Sequence, residues 1–475
     1  MNQAEYRSHD ALGLAELVAS GEVSPHELLD VVLTVVEASN SSVNAVVNVF
    51  ESLARQAIDE GLPPGPFRGV PFALKDLGTS LAGVATTNGS RLFVDAVATR
   101  DSEIVRRYRQ AGLVMFAKTN TPEFGMSPST EPVLFGPTGN PWNPGLTAGG
   151  SSGGAAAAVA AGVLPMAHAS DGGGSIRIPA SCCGIFGIKP TRARTPQGPE
   201  LGEGWNGRSV QHVVSRTVRD SAALLDATAG AMPGDPYWAP PAPASYLAEV
   251  TTDPGRLRVG LNLDAPSGVE VDPVCRAAAE TTARRCEELG HDVVPVAWPS
   301  MDEDFALARS SIVPSHLAAT VDTRLAQLGR HERVDDLEAV SARWVERGRT
   351  IRSTDYVASV QAMHRVGRAM GDLFEQVDVL LTPTLGRPPF PLGILDNSDV
   401  ERFVREVGPV AAFTEVANLT GQPAMSLPLE RTADGMPLGS QVIGRFGDEP
   451  TLFRLAGQLE RAHPWFDRIA PLGTG

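Results

Sequence analysis

At 475 residues, 42% hydrophobic and 20% charged, the chain has apolar material for a large core and enough charge to stay in solution. A formal charge of −15, with no long run of Lys or Arg, argues against a nucleic-acid partner, and no apolar run is long enough to span a membrane. Cys182, Cys183, Cys275 and Cys286 and the nine histidines show no metal-ligand spacing, so no metal and no other cofactor is expected.

The polar opening MNQAEYRSHD does not look like a secretory signal, and unpaired cysteines suit a reducing compartment, so a cytoplasmic location is expected. Apolar spacing predicts a helix over 10–20 and a second from Ser24-Pro25-His26-Glu27, a capping box with proline at the first helical position, to about 39. NAVVNVF (44–50) reads as a short strand, and GVPFALK (69–75) as an apolar strand that ends on Lys75. A helix at 101–111 and a strand at 112–117 follow. The passage 119–142, broken by Pro and Gly, is the kind of long irregular stretch that carries function inside a compact fold.

After the segment 149–180, CCGIFGIKPT reads as a buried strand entering a turn, and 217–230 as a helix. A Pro-rich connector spans 232–246. Strands at 257–263 and 292–298 flank a helix at 271–289, and helices fill 302–375. Strands at 377–385, 423–429 and 437–446 precede a closing helix at 449–462. This alternation predicts an α/β fold with helical layers around one sheet. Strands resume on both sides of the connector, so 1–475 is read as one domain.

The chemistry concentrates in 149–180. GGSSGG holds Ser151, and SDGGGSIRIPA holds Ser175; almost everything between is Ala, Gly or Val, small enough for a helix to lie close against its neighbours. In the run from Ser170 to Ser175 every residue but Asp171 is Ser or Gly. Such a run leaves backbone N–H groups free to face a ligand oxygen, as an oxyanion hole requires. Lys75 could reach the surface, pair with Asp76, or line a cavity. In a cavity, burial would make it a general base.

With Lys75, Ser151 and Ser175 in view, the chain resembles the amidase signature family. FGPTGNPWNP (135–144), LLTPT (380–384) and FTEVANLTGQPAMSLPL (413–429) carry the likeness further. The resemblance implies a large mixed β-sheet sandwiched between layers of α-helices, and a Ser-cisSer-Lys triad. In it Ser175 is the nucleophile, Ser151 relays the proton after a cis bond from Gly150, and Lys75 is the base. A serine hydroxyl needs such a base, and a lysine serves only if burial lowers its pKa.

By the same resemblance the N–H groups of Gly172, Gly173, Gly174 and Ser175 form the oxyanion hole. Asp171 and Arg177 buttress it, while the Gly125 carbonyl and Ser151 face the substrate. Three positions depart from the family: Gly172 replaces a larger residue, which predicts a looser turn, Leu146 a basic one and Ala148 a proline.

HASDGGGSIRIPASCCG with GRSVQHVVSRTVRDSAALLD looks closest to hydrolases of cyclic nylon oligomers and to urethanase-like amidases. The implied partner is a small amide, carbamate or ester, cleaved through an acyl-enzyme by a monomer or homodimer with no nucleic acid and no membrane. The alternative within the family is the amidase subunit of a tRNA-dependent amidotransferase, which requires partner subunits. Amides come before esters and carbamates in this expectation.

Two other readings compete. Gly150 to Gly154 fits G-x-S-x-G, the nucleophile elbow, but that motif needs a preceding strand, and PWNPGLTA does not read as one. His316, His364 and His463 stand in no catalytic-looking turn, and His168 reads as a core histidine. A phosphate cradle is weaker still, since GxxxxGK[ST] and GxGxxG are both missing. The acyl pocket is expected from 119–135, 302–320 and 409–421, mostly uncharged.

Overall fold

The computed structural model describes residues 1–471. Its largest sheet has eight strands in the order Asp292–Pro295, Arg258–Leu261, Val379–Pro383, Pro437–Gly444, Ala424–Arg431, Phe186–Lys189, Val210–Ser215 and Met166–Asp171. The first three run parallel and all later neighbours are antiparallel, so the sheet is mixed. Strands on both sides of the 232–246 connector enter this one sheet.

Helices cover both faces, as strands buried along their whole length require. Val379 and Leu381 pack with Ala283, Ala222 and Leu455, from the helices Pro273–Glu288, Val218–Thr228 and Glu449–Ala462. Leu380, pointing the other way, packs with Phe305 and Met363 from Asp302–Ser310 and Ser353–Phe374.

The expectation of one sheet is not met. Val46–Val49, Val114–Thr119 and Pro71–Lys75 form a separate three-stranded sheet, and Gly139–Asn140 pairs with Asn143–Thr147 in a third. Pro71–Lys75 lies alongside Met166–Asp171, the edge of the large sheet, without a hydrogen-bonded ladder between them. The base and the nucleophile turn therefore sit on two different sheets.

Local chemistry accounts for several boundaries. The Ser24 hydroxyl accepts from Glu27 N–H while the Glu27 carboxylate accepts from Ser24 N–H at 2.8 Å, and the helix Pro25–Val43 follows. It outruns the expected end at 39 because the Ser39 and Ser42 hydroxyls donate back to Val35 O and Ser39 O instead of breaking the turn. The helix Gly153–Ala160 is wholly buried; a Cβ on Gly154 would stand 2.4 Å from Asn120 N, so only glycine permits that approach. Within 302–375 there are four helices, Asp302–Ser310, Ile312–Leu328, Ala339–Thr350 and Ser353–Phe374. Glu51–Asp59, Arg177–Cys183, Val400–Val410 and Glu415–Thr420 are helices, and Val210–Ser215 a strand, that the sequence pattern did not predict.

Candidate active site

Lys75 ends its strand fully buried. Its Nζ donates to Ser151 Oγ at 2.7 Å and to Ser170 Oγ at 3.1 Å. Burial pulls the ammonium down from 10.5 to about 7, and the Asp171 carboxylate opposes part of that shift. Asp76 is not its partner. The Asp76 carboxylate accepts from the backbone N–H and the hydroxyl of Thr87, and the nearby cation is Lys118. Of the alternatives open for Lys75, neither the surface nor the pair with Asp76 is realised: the side chain is buried against two serine hydroxyls.

Ser151 follows a cis peptide bond from Gly150. Gly150 is pressed against the 127–129 backbone, where a Cβ would meet Ser127 O at 2.6 Å. Gly125, at φ +69°, stands so close that a Cβ there would lie 3.0 Å from Ser151 Oγ. A strand, Asn143–Thr147, does precede the turn, contrary to expectation; Gly139–Asn140 across a tight turn supplies its partner. No nucleophile elbow results, because this strand belongs to a two-stranded hairpin and the Ser152 hydroxyl is buried, donating to Ser170 O at 3.3 Å.

The second turn hangs on Asp171. Its carboxylate accepts from Gly174 N–H at 2.7 Å, Ile176 N–H at 3.1 Å, Arg177 Nη2 at 2.9 Å and Asn418 Nδ2 at 2.9 Å. Burial alone would raise this acid; the Arg177 guanidinium beside it holds it well below the usual range. Arg177, itself fully buried, also donates to Thr414 O, Gln441 Oε1 and Asn418 Oδ1. Asp171 and Arg177 thus form a closed, saturated pair behind the turn.

Gly174 corrects the expected donor set. Its N–H is taken by Asp171, which leaves Gly172, Gly173 and Ser175 to present theirs. Gly172 does not loosen the turn either. The Trp205 ring fills the space, so that a Cβ would stand 2.7 Å from its Cε3 and Cζ3.

From Thr147 to Thr191 every residue is buried except Gly173 and Ser175. The middle of the proposed hole and the second serine are thus the most exposed points of this dense region. The structure brings Lys75, Ser151 and Ser170 into direct contact, whereas Ser175 Oγ has no hydrogen-bond partner among the described residues and stands part-exposed at the opening.

One apolar cluster joins two of the expected pocket segments: Phe124 packs with Leu317 and Val321 of Ile312–Leu328, and its ring lies 5.7 Å from that of Phe93. From 409–421, Thr414 donates to Gly173 O at 2.7 Å. Sequence reasoning missed Ser170, Trp205, Thr414 and Asn418. Thr414 and Asn418 lie inside the quoted FTEVANLTG stretch; for Trp205 the only local trace is a left-handed backbone, φ 51°, which no residue pattern announces.

His168 is a core histidine, as expected: it is fully buried on its strand, and burial together with the charge on Lys75 lowers it to about 3. All four cysteines are free and buried. Among the described residues no helix is long and apolar enough to cross a membrane.

Comparison with known proteins gives the family and the fold. The profile of the Amidase family matches residues 27–453. The chain is 39% identical to a 6-aminohexanoate-cyclic-dimer hydrolase of Paenarthrobacter ureafaciens, over 97% of this chain and 96% of the relative. A solved structure of 6-aminohexanoate cyclic dimer hydrolase superposes with a TM-score of 0.93 at 38% identity, covering 98% of this chain and 99% of that one. A bacterial aryl acylamidase of the amidase signature family superposes at 0.88 with 27% identity, covering 97% and 98%. By profile, by full-length identity and by fold, this chain belongs to the amidase family, hydrolases that act on amide bonds.

Proposed function

We propose that the chain hydrolyses small amides, linear or cyclic, through an acyl-enzyme on Ser175, with Ser151 as relay and Lys75 as base. In the acylation step the neutral Lys75 amine takes the Ser151 proton across the 2.7 Å contact. Ser151 takes the proton of Ser175 Oγ as that oxygen attacks the carbonyl carbon. The oxygen of the tetrahedral adduct then faces the N–H groups of Gly172, Gly173 and Ser175. Its collapse breaks the C–N bond, and the relay returns the proton to the departing amine; water repeats the sequence to free the acid.

The observation that carries this reading is a buried lysine, lowered to about 7 and held 2.7 Å from the Ser151 hydroxyl, in a stretch whose most exposed residues are Gly173 and Ser175. The apolar cluster of Phe93, Leu317 and Phe124, the last next in sequence to Gly125, would suit an uncharged acyl group. The relative's action on a cyclic dimer of 6-aminohexanoate supports a cyclic amide among the substrates. Esters and carbamates present the same carbonyl and are included in the proposal.

A fluorophosphonate probe tests it. Mass spectrometry should find the adduct on Ser175, and Ser175→Ala should abolish both labelling and turnover. An adduct on Ser151 or Ser152 would refute the assignment.

A further inference from the structure

The base strand and the nucleophile turn belong to different sheets, so something other than a ladder must fix them in register. His168, in the middle of Met166–Asp171, does this with its ring. Its Nδ1 accepts the backbone N–H of Lys75 at 3.1 Å, and its Nε2 meets Gln211 Oε1 at 3.1 Å. A backbone N–H only donates, so Nδ1 must be the unprotonated nitrogen and Nε2 must carry the proton.

The ring is held on every side. Gln211 Oε1 also accepts from the Thr79 hydroxyl, and the Gln211 amide donates to Gln197 Oε1. The Tyr108 ring lies 5.9 Å from the imidazole and 4.9 Å from Phe72, in the base strand itself.

Resting on the proposed roles of Lys75 and Ser175, we infer that His168 is a positioning residue: a neutral imidazole that staples the end of the base strand to the strand leading into the nucleophile turn. The titratable groups around it are Lys75 on its strand, Lys118 on Val114–Thr119, His212 on Val210–Ser215 and Tyr108 on Glu103–Gln110. The two lysines and His212 all oppose a charge on the ring, which keeps Nδ1 an acceptor while Lys75 titrates.

Two variants separate this role from mere packing. In His168→Asn the side-chain oxygen can stand where Nδ1 stood and accept the Lys75 N–H; in His168→Leu nothing can. The Leu variant should lose kcat by about tenfold to a hundredfold with KM within about twofold, the range that a small misplacement of a catalytic group produces. Water drawn to the unpaired N–H should also move the pH limb assigned to Lys75 upward from about 7. The Asn variant should keep the limb and most of kcat.

A Leu variant with unchanged kcat and limb, or an Asn variant as impaired as Leu, overturns the inference. Should the Leu variant not fold, nitrogen NMR of the wild-type imidazole decides: a neutral ring protonated at Nε2 is expected from about pH 5 to 9, and an Nδ1–H tautomer or a charged ring refutes the staple. This readout needs no turnover. Failure of the base role would show instead as a pH limb that survives Lys75→Ala.

Discussion

The pH dependence of kcat/KM follows from one buried amine. At an ordinary lysine value of 10.5, about one molecule in 3,000 would hold a neutral Lys75 at pH 7; at about 7, roughly half do. On amide substrates kcat/KM should therefore rise about tenfold per pH step below that point and level off above it, toward an alkaline plateau. The perturbation is Lys75→Ala, assayed by initial rates on an anilide and on the matching phenyl ester from about pH 5 to 10. The variant should lose the limb altogether and fall by about 10²–10⁴-fold on the anilide, the span of general acid–base catalysis. The ester should fall less, because its leaving group departs with little proton help. A limb centred near the ordinary lysine value would refute the reasoning, as would an unchanged profile in the variant.

Three further outcomes test the frame around the site. Gly125→Ala places a methyl 3.0 Å from Ser151 Oγ and 2.7 Å from Leu77 Cδ2, so kcat should drop by about a hundredfold while the circular dichroism spectrum stays native. Near-normal kcat would show that the loop yields freely. Arg177→Met leaves the buried Asp171 carboxylate without its cation and should cost about 3–5 kcal/mol by denaturant unfolding; a loss below about 1 kcal/mol would contradict the pairing. Burial, and then the charge on Glu123, raise Glu338 to about 7, so the folded state holds its proton longer than the unfolded one. Its stabilising share is full below the unfolded value near 4.5 and is lost as pH rises through about 7. Relative to wild type, Glu338→Gln should therefore gain Tm progressively from about pH 5 to 8, and a constant difference would refute the shift.

What the sequence determined by itself is the chemistry that glycine and serine write locally. The turns that carry Ser151 and Ser175 could be read because the conformational freedom of their glycines belongs to each residue and needs no distant partner, although Gly153 and Gly154 enter a helix and Ser170 and Asp171 end a strand. The Ser24 capping box and the mixed α/β pattern were legible for the same reason: hydrogen bonds three residues apart and hydrophobic period are local quantities.

Tertiary structure decided what depends on neighbours remote in the chain. Asp76, adjacent to Lys75, turns to Thr87, while the carboxylate that acts on Lys75 is Asp171. Gly174 loses its N–H to a side chain whose orientation is set by Arg177 and Asn418. The room at Gly172 is filled by Trp205, which stands at a left-handed φ of 51° in a later loop. That the base and nucleophile ride on separate sheets could not be read from strand patterns, because alternation reports a strand's existence and its buried faces but not which edge it joins. Pairing across such an edge is settled by side chains like His168, and these meet their partners only once the chain has folded.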